Sequence, residues 1–208
     1  MAWEMEMPEE MGGGGNFLNE PGTYHCAVTS VLEGTGPKGG IIDGFTIGLD
    51  VLAGTVAGQE HKVFNLTLFN ARLDQSDGAK KWARLKQAAF VIAANVVTPA
   101  QLGQRVSVDL QRAIGQQIVL KLELQEGKEY LDLSYSDIWH VDDPRCEKVP
   151  KNMAAIAMIP TAMRHEKAWF DQLKPKKSPA GGSGNGQRQT AAAGTSTAAT
   201  AKPNYDDL

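Results

Sequence analysis

HKVFNLTLFNARLDQSDGAKKWARLKQAAFVIAANV (residues 61–96) changes its apolar period part-way along, and that change decides the fold. The first ten residues alternate, with Phe64, Leu66 and Leu68 on one face and Val63, Asn65, Thr67 and Phe69 on the other, the period of two expected of a half-buried strand. From Asp77 the apolar positions recur at spacings of three and four, at Trp82, Leu85, Ala89, Ile92 and Val96, while Lys80, Lys81, Arg84 and Lys86 fall elsewhere on the wheel. That spacing predicts an amphipathic helix to about Val97, with Trp82 in its core stripe. A strand therefore runs into a helix, and one ring, Phe69, stands on the strand's polar face.

Upstream, GTYHCAVTSVLEG (22–34) alternates about Tyr24, Val28 and Val31, and GFTIGLDVLAG (44–54) places Phe45, Ile47, Leu49 and Val51 on one face. TGPKGG (35–40) between them is punctuated as a loop. Downstream, residues 103–115 hold a short helical turn ended by Gly115, and QIVLKLEL (117–124) and EYLDLSYSDIW (129–139) alternate about the turn QEGK (125–128), a hairpin pattern. Three strands, a helix and two strands predict a mainly β domain: a five-stranded OB-like barrel with its helix between strands three and four, plus disordered termini.

The chain has 208 residues, 42% hydrophobic and 22% charged, enough for one sizeable core with extensions. Residues 1–20 carry five glutamates around the Gly12–Gly15 run and are expected to form a disordered acidic, Gly-rich leader. The OB-like domain covers 21–152. Residues 153–173 form a marginal helical extension in which Trp169, Phe170 and Leu173 are the anchors. Residues 174–208 contain little apolar surface beyond Ala before the end, Tyr205, Asp206, Asp207, Leu208, and read as a disordered linker with an acidic tip.

No apolar run approaches the ~18 residues of a membrane span, and the acidic start MAWEMEMPEE is unlike a secretory signal. The expectation is a soluble cytoplasmic protein. Cys26 and Cys146 lack CxxC partners, and His25, His61, His140 and His165 are scattered, so neither a disulfide framework, nor a metal site, nor a cofactor is expected. With a net charge of −3, any nucleic-acid site must be a local patch.

The chain resembles phage-encoded single-stranded-DNA-binding proteins over roughly residues 20–152. GTY opens strand one, TGPKGG forms the first loop, VFNLTLFN is strand three, the helix bears lysines, and IWHVDDP is followed by VPKN. The tail with its YDDL end looks like that family's linker and acidic tip, although bacterial tips end in Phe rather than Leu. The resemblance implies sequence-independent single-strand binding in DNA replication, recombination or repair, in the host cytoplasm. It also implies that Tyr205, Asp206, Asp207 and Leu208 recruit partner enzymes, with no enzymatic activity of the chain's own.

Such binding needs cations along the phosphates and rings on which bases stack. The candidate cations are Lys38 in the first loop, Lys62 and Arg72 at the two ends of strand three, Lys80 and Lys81 at the helix start, and Lys121 on strand four; the candidate rings are Phe69 and Tyr130. Each also has a plainer reading, as a solvated charge or a packed strand-end residue. Trp139 either caps the barrel or stacks a base. Two rival functions remain: a protein-interaction or virion component using the same barrel without DNA, and a Mg²⁺-dependent nuclease built on Asp137, His140, Asp142 and Asp143. That last cluster is local and contains the turn former Asp143-Pro144, and so reads more simply as a strand exit.

Overall fold

The computed structural model describes residues 16–125 and 130–173, all within the first of two units, Met1–Pro175 and Lys176–Leu208. The first fifteen residues of the expected leader, most of the QEGK turn, and the linker with its tip lie outside the described residues.

The described chain is mainly β: six antiparallel strands in one open sheet, with few helices. The strands are β1 (Gly22–Thr35), β2 (Ile41–Gly54), β3 (Val63–Phe69), β4 (Gln117–Leu124), β5 (Leu131–Asp132) and β6 (Ile138–His140); the order is β3-β2-β1-β4-β5, and β6 also pairs with β4. β1 is the hub, bonding β2 along its length and β4 through Gly22–Ala27. It shifts register against β2 at three points, His25/Cys26, Val28/Ser30 and Glu33/Thr35; such bulges bend and twist a strand, letting a long one serve two partners.

The alternation read from sequence fixes the inner face. Tyr24, Cys26 and Val28, Ile47, Leu49 and Val51, Leu66 and Leu68, and Ile118, Leu120 and Leu122 are all buried in one core cluster. Tyr24 enters it with its hydroxyl donating to the Glu20 carbonyl at 2.8 Å, and burial, reinforced by the Glu20 carboxylate, pushes its pKa up to about 12. Residues 16–18, expected within the leader, instead run beside β3: Val63 N–H donates to Asn16 O at 2.7 Å, Leu18 N–H donates to Val63 O at 2.9 Å, and Leu18 is buried.

Helix α1 (Asp77–Ala93) starts where the Ser76 hydroxyl accepts from Ala79 N–H and Asp77 meets the positive end of the helix. It ends at Ala93 rather than Val97, because Asn95 turns into the left-handed region at φ 56°. Two consecutive residues tie it to the two ends of the sheet order. Lys86 Nζ stands 3.4 Å from Asp132 of β5, and Gln87 Nε2 donates to the carbonyl of Phe69 at the end of β3, at 2.9 Å.

That arrangement rotates the core stripe away from the predicted one. Ala83, Lys86, Phe90, Val91, Ile92 and Ala93 are buried, whereas Trp82 is 37% exposed and lies under the Lys86 ammonium, 4.7 Å from ring centroid to Nζ. Hydropathy placed Trp82 inside and Lys86 outside; the carboxylate of Asp132 reverses both.

The expected fifth strand is interrupted. Ser134 caps a 3-10 turn at Tyr135–Asp137, so the run divides into β5 and β6, and the sheet has six strands where five were expected. Residues 153–173, expected as a marginal extension, pack on the same unit. In α2 (Met153–Ala157) the Ala155 carbonyl accepts from Gln117 of β4 at 2.8 Å, and in α3 (Lys167–Asp171) Phe170 is buried. Among the described residues no helix is long and apolar enough to cross a membrane.

Candidate nucleic-acid interface

The outer face of β1–β3 follows from register, since directly paired residues share a side. One row is Leu32, Thr46 and Thr67, the next is Ser30, Gly48 and Asn65, and Gly44 pairs with Phe69 at the end of β3. The centre of this face is low. Gly48 presents no side chain, and a Cβ there would require the Ser30 hydroxyl to move; the Thr46 hydroxyl is turned down onto the Thr35 carbonyl at 2.6 Å. The rim is apolar: Leu32 is 49% and Phe69 48% exposed. Opposite Phe69 stands Gly44, which has no side chain to cover the ring. Glycine is required at 44 by the sheet itself, because a Cβ there would collide with the Leu68 carbonyl of β3, and the Phe69 ring beside it is left open.

Lys38 stands exposed in the loop joining β1 to β2, at the end of β2 nearer Phe69. Lys62 is at the other end of β3 from Phe69, about 23 Å away along the strand at ~3.3 Å per residue, and donates to Asn19 Oδ1 at 3.1 Å. Arg72, three residues after Phe69, makes a two-pronged contact with Asp74 at 3.1 and 2.8 Å. Lys80 lies 3.7 Å from Asp77, and Lys81 is exposed on the same turn. Lys121, between the buried Leu120 and Leu122, faces outward too, but from β4, which β1 separates from β2 and β3; it is bonded to Glu123, which raises its pKa. Tyr130, 53% exposed, precedes β5, on that side of β1 too.

The structure thus gathers Lys38, Phe69 and Arg72 about one end of β2 and β3, and sets Lys121 and Tyr130 apart with β4 and β5. Arg72, Lys80 and Lys121 hold carboxylates. These are ion pairs open to water, which screens them, so a phosphate can displace them at little cost. Sequence reasoning missed Leu32 and Gly48. The bulge between Val28 and Ser30 shifts the face on which later β1 residues stand, and alternation alone does not reveal a bulge.

The cluster behind the nuclease reading is engaged elsewhere. Asp142 accepts from Arg164 through both Nε and Nη2, and from the His165 backbone at 3.0 Å. Arg145 grips Asp143 at 3.0 and 2.7 Å. The His140 ring is buried between Asn95 and the Asp142 N–H, and its burial lowers the pKa to about 4. His165 stacks on Trp169 with ring centroids 4.1 Å apart. These groups fasten residues 163–170 to the strand exit, and among the described residues no group of three or more His, Cys, Asp and Glu is placed to hold a metal. Trp139 donates to the Ser136 carbonyl at 2.7 Å under the Arg145 guanidinium, which makes it a brace for the 3-10 turn. The tip residues Tyr205, Asp206, Asp207 and Leu208 lie outside the described residues.

Compared with known proteins, the chain matches no family model and no curated sequence significantly.

Proposed function

We propose that this protein binds single-stranded DNA without sequence preference, as a phage-type single-stranded-DNA-binding protein built on an OB-like barrel. The observation that carries the reading is the outer face of β2 and β3: the Phe69 ring, half exposed opposite Gly44, shares that face with Leu32 above a glycine-lowered centre, and Lys38 stands beyond it. Bases need such a platform and phosphates such a cation. The barrel reading is supported by a hub strand pairing with β2 and β4, and by a helix between β3 and β4 that contacts both ends of the sheet order, where a barrel seam would lie. In this reading the Tyr205–Leu208 tip recruits replication, recombination or repair enzymes, and the chain performs no catalysis.

The test is anisotropy of labelled single-stranded DNA, duplex DNA and RNA of one length, titrated at two salt concentrations. The expected result is preference for single strands, with affinity falling about 20-fold between 50 and 200 mM salt if three phosphates are neutralised. The rival reading, a protein-interaction or virion component, draws on the carboxylates paired with Arg72, Lys80 and Lys121. Absence of salt-sensitive binding to single strands refutes the DNA assignment in its favour.

A further inference from the structure

A cleft of about 860 Å³ opens between α1 and the segment that follows it, residues 97–110, a size within the ~300–1,000 Å³ range of small-molecule sites. One wall is a single helix face, with Arg84, Gln87, Ala88 and Val91; the other is the loop carrying Leu102, Arg105 and Val108; the floor is Phe45 and Leu68, the outer end of the core. Three features of the cleft bear on what it can hold. Leu102 and Val108 are 46% and 37% exposed, apolar side chains left uncovered at its mouth. Arg84 and Arg105 are exposed and, among the described residues, neither has a carboxylate or other partner, while Arg72 and Arg164 are both paired. No Asp or Glu lines the cleft.

The cleft also begins where the candidate DNA face ends. Leu68 and Asn70, on either side of Phe69, line it, and so does Gln87, whose amide is bonded to the Phe69 carbonyl. Phe45 and Leu68 stand on the opposite face of the sheet from Phe69, so a chain leaving the outer face must turn round the end of β3 to meet Arg84 in the cleft. The start of the loop wall, residues 98–104, is held by its own bonds, with Thr98 and Gln101 capping each other, Gln104 donating to the Ala100 carbonyl, and Gly103 at φ 78°. Arg105 and Val108 follow in a stretch without regular secondary structure.

We infer that this cleft is a second contact for the same single strand: Arg84 and Arg105 hold successive phosphates, and one unstacked base enters against Phe45, Leu102 and Val108. The inference rests on the DNA-binding reading above and extends it from the sheet face to the helix side. An anionic chain with a flat apolar group at every repeat satisfies both the two free guanidiniums and the apolar floor. An acidic peptide would use the same cations and is distinguished by the test.

The experiment compares the full-length protein with an Arg84→Ala/Arg105→Ala double variant and an Arg84→Lys/Arg105→Lys variant, using labelled oligo(dT) of about 6 and about 20 nucleotides, one near the short end of the ~4–16 nucleotides of an OB site and one beyond its long end. Both arginines are exposed, so unchanged circular dichroism is expected. The alanine variant should bind the longer oligonucleotide about 10- to 30-fold more weakly at 0.1 M salt, with the log–log salt slope reduced by about 1.4, two phosphates at ~0.7 each. Binding of the shorter oligonucleotide should be nearly unchanged, and the lysine variant should keep most of the slope. Equal affinity and slope for variant and wild type on the longer oligonucleotide overturn the inference while leaving the sheet-face reading intact. Failure of the wild type to bind either length refutes the function itself. Displacement of a labelled peptide ending in Tyr-Asp-Asp-Leu by the double alanine change, with DNA binding unaffected, reassigns the cleft to acidic peptides.

Discussion

Replacing Asp132 with Asn isolates the contact that orients α1 and, through Gln87, the end of β3. The Lys86 side chain is 7% exposed and its ammonium lies 3.4 Å from Asp132 Oδ1, with the Trp82 ring on another side. Burial lowers the pKa of Lys86, and Asp132 pulls it back up. The Leu133 N–H that Asp132 accepts at 2.7 Å can be kept by the amide oxygen of Asn, so the substitution removes chiefly the charge. At an effective dielectric of about 20 the pair is worth on the order of 5 kcal/mol before screening. Asp132 is 41% exposed, so water screens much of this, and the expected loss is about 1–3 kcal/mol. For a domain of this size that is a fall in Tm of about 2–12 °C.

The pH dependence carries the sign. In the variant the folded pKa of Lys86 drops further below its ordinary 10.5, so the unfolded chain binds the proton more tightly. The penalty is complete below the folded pKa and is relieved as pH rises towards 10.5. Thermal melts at pH 7 and pH 10 should therefore show the gap from wild type narrowing. The double change Lys86→Met/Asp132→Asn should return to within about 1 kcal/mol of wild type, since an apolar side chain of similar length needs no counter-ion. Equal stability of Asp132→Asn and wild type at pH 7, or a gap that does not vary with pH, would refute the reasoning.

On the DNA face, Phe69→Ala should weaken binding to oligo(dT) by about 1–2 kcal/mol, the lower part of the range for one stacked base because half of the ring is already covered, while Tyr130→Ala tests whether the β4–β5 side takes part at all. Unchanged Kd by anisotropy for both would take the rings out of the site. Stability should also fall in acid. His25 is fully buried, with Nδ1 accepting from Asn152 N–H at 3.2 Å and Nε2 set against Gln117 Oε1 at 2.9 Å, so a second proton would meet a donor. His140 Nδ1 likewise accepts from Asp142 N–H. Both pKa values are depressed from 6.5 to about 4, mainly by burial. Their contribution, roughly 3 kcal/mol each, is complete above about pH 6.5 and is lost as pH falls towards 4. Melts at pH 7, 5.5 and 4 should show that decline, and a flat Tm across them would contradict it.

The alternating runs from Gly22, Phe45, Val63 and Gln117, and the switch of period at Asp77, determined by themselves that the domain is mainly β, with its helix between the third and fourth strands. They also put Phe69 on the outer face. These are local matters: side-chain period and turn chemistry are written in neighbouring residues. What only the tertiary structure decided depends on partners far apart in the chain. Asp132 draws Lys86 inward and leaves Trp82 outside, bulges in β1 bring Leu32 and Ser30 onto the face with Gly48, Arg164 and Arg145 occupy the carboxylates of the strand exit, and the loop after α1 completes a cleft with Arg84. A charge or a ring acquires its role from what stands opposite it, and sequence spacing carries no record of that until the chain has closed on itself.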